Sequence, residues 1–396
     1  MKNVPELRMR SQSMLEWNGV MAATRAQSVD SGVLCYNGAT ALGWSENMVV
    51  TAATETTQQA LGGIRPMDPA QDLGTIADLI ADAFAGELDE QGRAALREMR
   101  WMARLSPLVW WWSQTDPTFS DSFDGLVWEE PTSEGNTPFP RTGSGQIVGN
   151  VSLNRAPGSR QRWIVYNVAV QADYRGLGIG RKLTRAAIDK ARVSGAEGVL
   201  IQVHEDNHAA LELYTSLGFQ KAEGETELRL QEITPVTPAE APGYQFRPWR
   251  PADGAAVREM ARLAIPMVQQ WIRPIRANRY QTSWWTQFVE RLMGVLNGKR
   301  VYRLTMVKED RPVAMLAVTA SSGQDAHRLK LLIHPDHTGQ GEKALISRAL
   351  HLLAAAPPRP AKITVDQSHA ALLRALGRFG FEEERTLLTL RKDFGS

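Results

Sequence analysis

The chain of 396 residues lacks the features that several common classes of protein require. It has one cysteine, Cys35, which excludes an internal disulfide and a thiolate metal cluster. Lys and Arg number 45 against 43 Asp and Glu, and the net charge of +2 gives no strong field for nucleic acid or an anionic membrane. No apolar run reaches the length of a membrane span, and no apolar core follows the basic start as in a secretory signal. We therefore expect a cytoplasmic protein without nucleic-acid or membrane partners.

Three motifs of nucleotide-binding and hydrolytic enzymes are also missing. The dinucleotide fingerprint needs the order G-x-G-x-x-G, whereas Gly176, Gly178 and Gly180 recur at every second position. The Walker loop needs Gly-Lys followed by Ser or Thr, and here Arg181 and Lys182 follow the last glycine. No G-x-S-x-G elbow occurs, so hydrolysis by a serine nucleophile of that type fits the chain poorly.

The informative stretch of the sequence runs from Trp163 to Phe219. Its first part, Trp163–Val170, is apolar and β-branched, which predicts a buried strand. The turn Arg175–Gly180 follows, and Arg181–Val193 then carries apolar residues at helical spacing. Glycines let the backbone approach a ligand closely, and the N–H groups of a first helical turn attract anions. The turn therefore predicts a phosphate-binding site, although by itself it fits a plain strand-to-helix connection equally well.

The residues downstream distinguish these two interpretations. A second apolar strand, Val199–Val203, is followed by Asn207, by a short helix containing Tyr214, and by Leu217-Gly218-Phe219. This order resembles the Gcn5-related N-acetyltransferase (GNAT) superfamily. Residues 175–180 match the Q/R-x-x-G-x-G/A pyrophosphate loop of that family, and the asparagine, tyrosine helix and Gly-Phe pair match its second signature.

The resemblance implies an α/β fold of the α+β mixed-sheet type, with a twisted mixed sheet flanked by helices in each of two tandem domains. It implies acetyl-CoA as co-substrate, no metal, and N-acetyl transfer to a primary amine of a small molecule or peptide. Tyr214 would then be the acid that protonates the departing thiolate. The coenzyme would be held by backbone and side-chain groups of Val168, Ala169, Val170, Arg175, Gly176, Leu177, Gly178, Ile179, Gly180, Arg181 and Asn207.

The general base that deprotonates the amine is not identified by the sequence. In this family it is often a glutamate whose position varies. Residues on or near the central strands that could serve are Glu129, Glu130, Tyr166 and Asn167. The segment His204–Asp206 could also belong to the site, but a solvated strand end is the better interpretation of it.

The sequence pattern repeats after a proline-rich segment. We expect a weakly ordered extension at 1–61, a GNAT domain at 62–232, a linker at 233–243 and a degenerate GNAT-like domain at 244–396. The repeat is visible because Phe246-Arg247-Pro248 echoes Ile64-Arg65-Pro66, and because Phe379-Gly380-Phe381 stands where Leu217-Gly218-Phe219 stood. One fold used twice is therefore predicted.

The second copy has lost its motif residues. Thr338 replaces the loop arginine, and Lys343 stands at the last glycine, where a bulky side chain could obstruct phosphates. Leu376 stands at the tyrosine position, and Ser368 and His369 flank the place of the asparagine. His334 and His337 suggest turn residues more than metal ligands, since no third ligand is evident.

Some alternatives stay open at this stage. The cluster Trp110–Trp112 could fill a core or form one wall of an acceptor pocket. The chain could be a non-catalytic acyl-CoA sensor or regulatory pseudoenzyme, or a scaffold in which both copies only pack. A monomer or a homodimer is expected.

Overall fold

The computed structural model describes residues 62–85, 90–105, 124–130, 145–276, 298–323 and 325–395. The interpretations of the extension at 1–61 with Cys35, and of the tryptophans at 110–112, lie outside these residues. The chain forms two compact units, of which the first comprises Met1–Leu200 with Asp393–Ser396 and the second Ile201–Lys392.

The first unit is built on an antiparallel sheet in the strand order β1-β2-β3-β4. Two helices follow its first strand, and a third follows its fourth strand after a glycine turn. Its elements are β1 (Gly63–Pro66), α1 (Pro69–Ala83), α2 (Glu90–Ala103), β2 (Gly125–Glu130), β3 (Gln146–Arg155), β4 (Arg162–Val170) and α3 (Ile179–Val193).

Local signals explain why these segments become helices. The carboxylate of Asp68 accepts the N–H of Ala70 at 2.9 Å and caps α1, and Pro69 begins the helix. The buried face of α1 packs with α2 and the sheet through apolar residues that recur at helical spacing. This core consists of Leu73, Ile76, Ala77, Ile80, Leu96, Met99, Met102, Val127 and Ile147.

The second unit contains the other strands, together with the end of β5, which begins in the first unit. Its strands follow the order β5-β12-β6-β11-β10-β9-β8-β7. Its elements are β5 (Gly198–His204), α4 (His208–Ser216), β6 (Gln220–Leu230), β7 (Gln245–Pro248), α5 (Gly254–Ala264), α6 (Met267–Ile272), β8 (Lys299–Lys308), β9 (Arg311–Ser321), β10 (His327–Ile333), α7 (Glu342–Leu353), β11 (Ala361–Asp366), α8 (Ala370–Arg378) and β12 (Glu382–Asp393).

These elements confirm the predicted fold class, a mixed sheet flanked by helices. β10 and β11 run parallel and are joined through α7, whereas the pairs β9–β10, β6–β11, β6–β12, β7–β8 and β8–β9 are antiparallel. None of the helices in the described residues is long and apolar enough to cross a membrane.

Strand β6 shows that packing and the sequence repeat divide the chain at different places. β6 precedes the linker at 233–243, yet it lies between β11 and β12, which follow the linker. The hydroxyls of Thr226 and Thr386, 160 residues apart, are hydrogen-bonded at 2.9 Å in this arrangement. The proposed domains at 62–232 and 244–396 thus follow the repeat, whereas the boundary between the compact units falls between residues 200 and 201. The two divisions differ because a strand packs with the strands it pairs with, wherever these lie in the sequence.

A buried arginine–aspartate pair occurs in both copies of the repeat. Arg65 donates to both carboxylate oxygens of Asp72 at 2.7 and 3.0 Å, and Arg247 does the same to Asp253 at 2.7 Å twice. Burial alone would raise the pKa of Asp253, but the hydrogen bonds from Arg247 lower it below its usual range. The pair links the first strand of each copy to the helical segment that follows, which gives the Arg-Pro signature of the sequence a structural role.

Candidate functional site

The turn between β4 and α3 is an open loop with the backbone geometry that glycine favours. Gly176 has a φ of 79° and Gly178 a φ of 78°, and a Cβ atom added at either would meet nothing within 4 Å. Residues 175–178 are all exposed. Because the loop leads directly into the N-terminus of α3, its N–H groups and the helix dipole form an accessible anion-binding geometry.

The sheet fixes the position of this loop through contacts that sequence reasoning missed. Ile179 and Leu183 are buried at the start of α3. A Cβ atom at Gly149 of β3 would lie 2.9 Å from Leu183 Cδ1 and 3.0 Å from Ile179 Cγ2, so glycine permits the helix to approach the sheet this closely. An isolated glycine inside a strand pattern was the signal that could have identified it.

The arginines of the loop are exposed, as an anion site requires. Arg175 donates from Nε to the carbonyl of Val170 at 3.0 Å, which ties the loop to the end of β4 and uses one of five guanidinium donors. Arg181 lies on the exposed face of the first turn of α3. The predicted role of these charges at a pyrophosphate stays a prediction.

Strand β4 has a bulge at the residues expected to contact the coenzyme arm. Tyr166 pairs with Ser152, and Ala169 pairs with Asn150, so two residues of β4 stand opposite one residue of β3. Asn167, the first residue of the bulge, has a φ of 52°, which asparagine tolerates better than most residues. The side chain of Ala169 is buried, which leaves its backbone as the part that could meet a ligand.

A buried asparagine on the neighbouring strand holds this bulge. Asn150 has no exposed surface, and its Nδ2 donates to the carbonyl of Asn167 at 3.0 Å. Its Oδ1 is buried and has no hydrogen-bond partner in the part of the chain that the structure describes. The polar residue between the apolar residues Val148 and Val151 was the available signal in the sequence.

The residues considered as general base are engaged in contacts of their own. Glu129 pairs with Arg65 and accepts the N–H of Gly145 at 2.6 Å, while Glu130 accepts the indole N–H of Trp128 at 2.7 Å. The phenol oxygen of Tyr166 accepts a hydrogen bond from Asn154 at 2.8 Å. Burial and the charge of Asp124 raise the pKa of this phenol. At the end of β5, Glu205 lies 3.9 Å from Lys221. No base is therefore assigned.

Asn207 and Tyr214 belong to the second unit, on α4. Asn207 caps the helix by accepting the N–H of Ala210 at 3.1 Å. Tyr214 is buried, and its ring meets the edge of Phe219 at a centroid distance of 6.0 Å. Burial raises the pKa of the Tyr214 phenol above its ordinary value, which already leaves the hydroxyl protonated at neutral pH. A protonated tyrosine of this kind can act as an acid.

The second copy places its corresponding residues in the same kinds of position. His369 occupies the N-cap position of α8 as Asn207 does in α4, although its side chain accepts no capping hydrogen bond, so it stands at the asparagine position itself and does not flank it. Leu376, at the tyrosine position, is fully buried. His334 accepts the N–H of Asp336 at 3.3 Å, and His337 shares a hydrogen bond of 2.9 Å with the hydroxyl of Tyr244. Both histidines thus have partners within or beside their turn.

Comparison with known proteins adds independent support. Residues 104–219 match the acetyltransferase (GNAT) family model. Every residue of the predicted site lies within this range.

The relatives and solved structures match this chain as follows. N-alpha-acetyltransferase 30 of Schizosaccharomyces pombe is 37% identical over 75 residues, which are 19% of this chain and 49% of the relative. A mycothiol acetyltransferase of Thermobispora bispora is 46% identical over 57 residues, which are 14% of this chain and 19% of the relative. The chain spans less than half the length of these curated relatives.

A crystal structure of a GCN5-related N-acetyltransferase from Sphaerobacter thermophilus shares the fold. It covers 84% of this chain and 95% of its own at a TM-score of 0.51 and 17% identity.

Proposed function

We propose that the protein is an acetyl-CoA-dependent N-acetyltransferase whose reaction is carried out by the GNAT domain at 62–232. The observation that carries the proposal is the open loop at 175–180, with two left-handed glycines, exposed arginines and a helix N-terminus behind it. Acetyl-CoA carries a pyrophosphate, and this geometry suits such a group.

The proposed coenzyme contacts follow the loop and the bulged strand. Backbone N–H groups of Gly176–Gly180 hold the pyrophosphate, with charge added by Arg175 and Arg181. Backbone groups of Val168–Val170 pair with the pantetheine arm, and Asn207 contacts the same arm. A bulge interrupts the regular ladder at Asn167, which supports a backbone group there turning away from β3 and toward a ligand.

The proposed transfer needs an acid, an oxyanion donor and a base. The nitrogen of the acceptor amine attacks the thioester carbon, and a backbone N–H of β4 stabilises the developing oxyanion. The carbon–sulfur bond then breaks, and the hydroxyl of Tyr214 gives its proton to the departing thiolate. The proton of the amine passes to a general base, a role to which no residue is assigned.

The acceptor is proposed only as a class, a primary amine of a small molecule or peptide. The two relatives are named for N-alpha-acetylation and for mycothiol acetylation, which are reactions on different kinds of acceptor. The small net charge of the chain favours neither. The second copy, at 244–396, is proposed to take no part in the chemistry.

The test replaces a glycine in each turn with the same charged residue. Gly178→Glu places a side chain and a negative charge in the proposed phosphate site, so acetyl-CoA binding should be abolished. Gly339→Glu is the matched control, because Gly339 also has a positive φ, of 87°, and open space around it. Calorimetric titration of both variants with acetyl-CoA measures the difference, and circular dichroism checks that each is folded.

Unchanged affinity in folded Gly178→Glu would remove the loop from the proposal. Equal loss in both variants would show that backbone strain, and not the phosphate site, caused the effect. Release of free coenzyme A thiol in the presence of an amine mixture then distinguishes an enzyme from a non-catalytic acyl-CoA sensor.

A further inference from the structure

The second glycine turn carries a carboxylate where the first carries an apolar side chain. Glu342 stands at the position of Ile179, as the first residue of α7. The turn keeps one left-handed glycine, Gly339, whereas Gly341 has a φ of −124°. The two turns thus share a sequence pattern and differ in what lies beside their backbone.

The carboxylate of Glu342 occupies the N–H groups of its own turn. Oε1 accepts the N–H of Gly339 at 2.6 Å, and Oε2 accepts the N–H of Gly341 at 3.1 Å. The residue is only 3% exposed. Hydrogen bonds from N–H groups to a carboxylate are strong, and a negative charge at a helix N-terminus is stabilised by the dipole. The groups that would hold a phosphate therefore hold a side chain.

The same carboxylate reaches the start of the next helix of this copy. Oε1 of Glu342 lies 3.8 Å from Nε2 of His369, the residue at the N-cap position of α8. By the resemblance, the loop and the capping position are the two places that contact the pyrophosphate and the pantetheine arm. In the second copy the carboxylate of Glu342 therefore lies on the backbone N–H groups of the loop and close to the N-cap residue.

Two further contacts hold this turn in place. The hydroxyl of Tyr244 donates to Oε1 of Gln340 at 2.5 Å and also contacts His337. Lys343, the bulky residue that the sequence suggested as the obstruction, is exposed. The adjacent side chain, that of Glu342, is buried at this turn, so Glu342 and not Lys343 lies where a phosphate would bind.

We propose that the carboxylate of Glu342 occupies the anion site of the second turn and prevents coenzyme from binding there, so that each chain binds coenzyme at its first loop alone. The proposal rests on the proposed function for its second clause. Its first clause depends only on the contacts of Glu342, and the two clauses are tested separately.

The test follows each turn through its own glycine signals. The full chain is labelled with ¹⁵N-glycine, and the amide resonances of Gly176, Gly178, Gly339 and Gly341 are assigned by single Gly→Ala variants. Coenzyme A is added to the wild type. We expect the resonances of the first loop to shift and those of the second to stay unchanged.

Glu342→Ala then removes the carboxylate, and inorganic pyrophosphate is the probe. The amide signals of Gly339 and Gly341 should now shift on addition of pyrophosphate, because their N–H groups have lost their acceptor. Lys343→Ala is the matched control, since it shortens the neighbouring exposed side chain, and its second-loop signals should not respond.

Each result has one meaning. If coenzyme A shifts the amide resonance of Gly339 or Gly341 in the wild type, the proposed role of Glu342 is overturned. This result does not depend on whether Glu342→Ala folds. Absence of a pyrophosphate response in folded Glu342→Ala also overturns that role. If coenzyme A shifts neither Gly176 nor Gly178 in the wild type, the proposed function is overturned. The role of Glu342 is then still tested by the pyrophosphate titration of Glu342→Ala.

Discussion

The two glycine turns of this chain have similar sequences and opposite environments. In the first, residues 175–178 are exposed and the two glycines are left-handed. In the second, one glycine is left-handed and the N–H groups of Gly339 and Gly341 are taken by Glu342. The comparison teaches that a repeat can keep a turn while its anion site is filled from within.

The strands before the two turns differ in the same direction. β4 is bulged where Asn167 and Val168 stand opposite one residue of β3. The corresponding strand, β10, pairs with β9 in an unbroken register from Arg328 to Ile333. The irregular strand thus accompanies the open turn and the regular strand accompanies the filled one, as expected if only one copy has to meet a ligand.

The largest expected effect tests whether the filled copy is still needed for folding. A chain that ends at residue 232 keeps β6 but loses β11 and β12, the strands on either side of it. We expect this chain to lose cooperative thermal unfolding, followed by circular dichroism and calorimetry, because β6 would expose both edges and its apolar side chains.

A chain that lacks residues 1–58 is the companion truncation, and we expect it to keep acetyl-CoA binding. Cooperative melting of the chain ending at 232, with binding intact, would mean that the first copy folds alone.

The next effect extends the comparison to α4 and α8, where Tyr214 corresponds to Leu376. Tyr214→Phe keeps the ring against Phe219 and removes the proton. Loss of an acid should lower kcat by about 10²–10⁴-fold with acetyl-CoA binding unchanged. Steady-state kinetics and titration measure the two quantities.

Tyr302→Phe in β8 of the second copy is the control for removing a phenol hydroxyl, and its kcat should equal that of the wild type. If the kcat of Tyr214→Phe equalled that of the wild type, Tyr214 would be a core residue only. That result would favour the interpretation of the chain as a non-catalytic acyl-CoA sensor.

The smallest effect concerns the bulge. Asn150→Ala removes the donor to the carbonyl of Asn167 and leaves that group without its partner. Such a loss costs roughly 1–3 kcal/mol. If part of this cost reaches the transition state, kcat falls about tenfold while the KM for acetyl-CoA changes less.

Asn154→Ala, on the same strand, removes a hydrogen bond to the Tyr166 hydroxyl and serves as the comparison. Equal kinetics in the two variants would show that Asn150 stabilises the strand without positioning anything.

The sequence predicted the parts of this structure that depend on local chemistry. The glycines of the first turn and the apolar spacing of Leu183, Ala187 and Ile188 indicated the loop and helix that the structure contains, because turn conformation and helix amphipathicity are set within a few residues.

Non-local pairing could not be predicted in this way. The alternation of β6 fits any antiparallel neighbour, and nothing in it indicates Thr386 as the partner of Thr226. The bulge depends on Asn150 from another strand. The sequence suggested Lys343 as the obstructing residue, but its side chain is exposed and that of Glu342, at the position of Ile179, is buried. A charged residue at a helix start is usually a solvated one, so only the contacts reveal this carboxylate as an internal ligand.

The central claim is that one turn accepts the coenzyme and the other is closed. Calorimetric titration of the full chain with acetyl-CoA, analysed for stoichiometry, tests it most directly. The account predicts one binding site per chain, which Gly178→Glu abolishes and Gly339→Glu retains. Two sites per chain, or a site that survives Gly178→Glu, would contradict it.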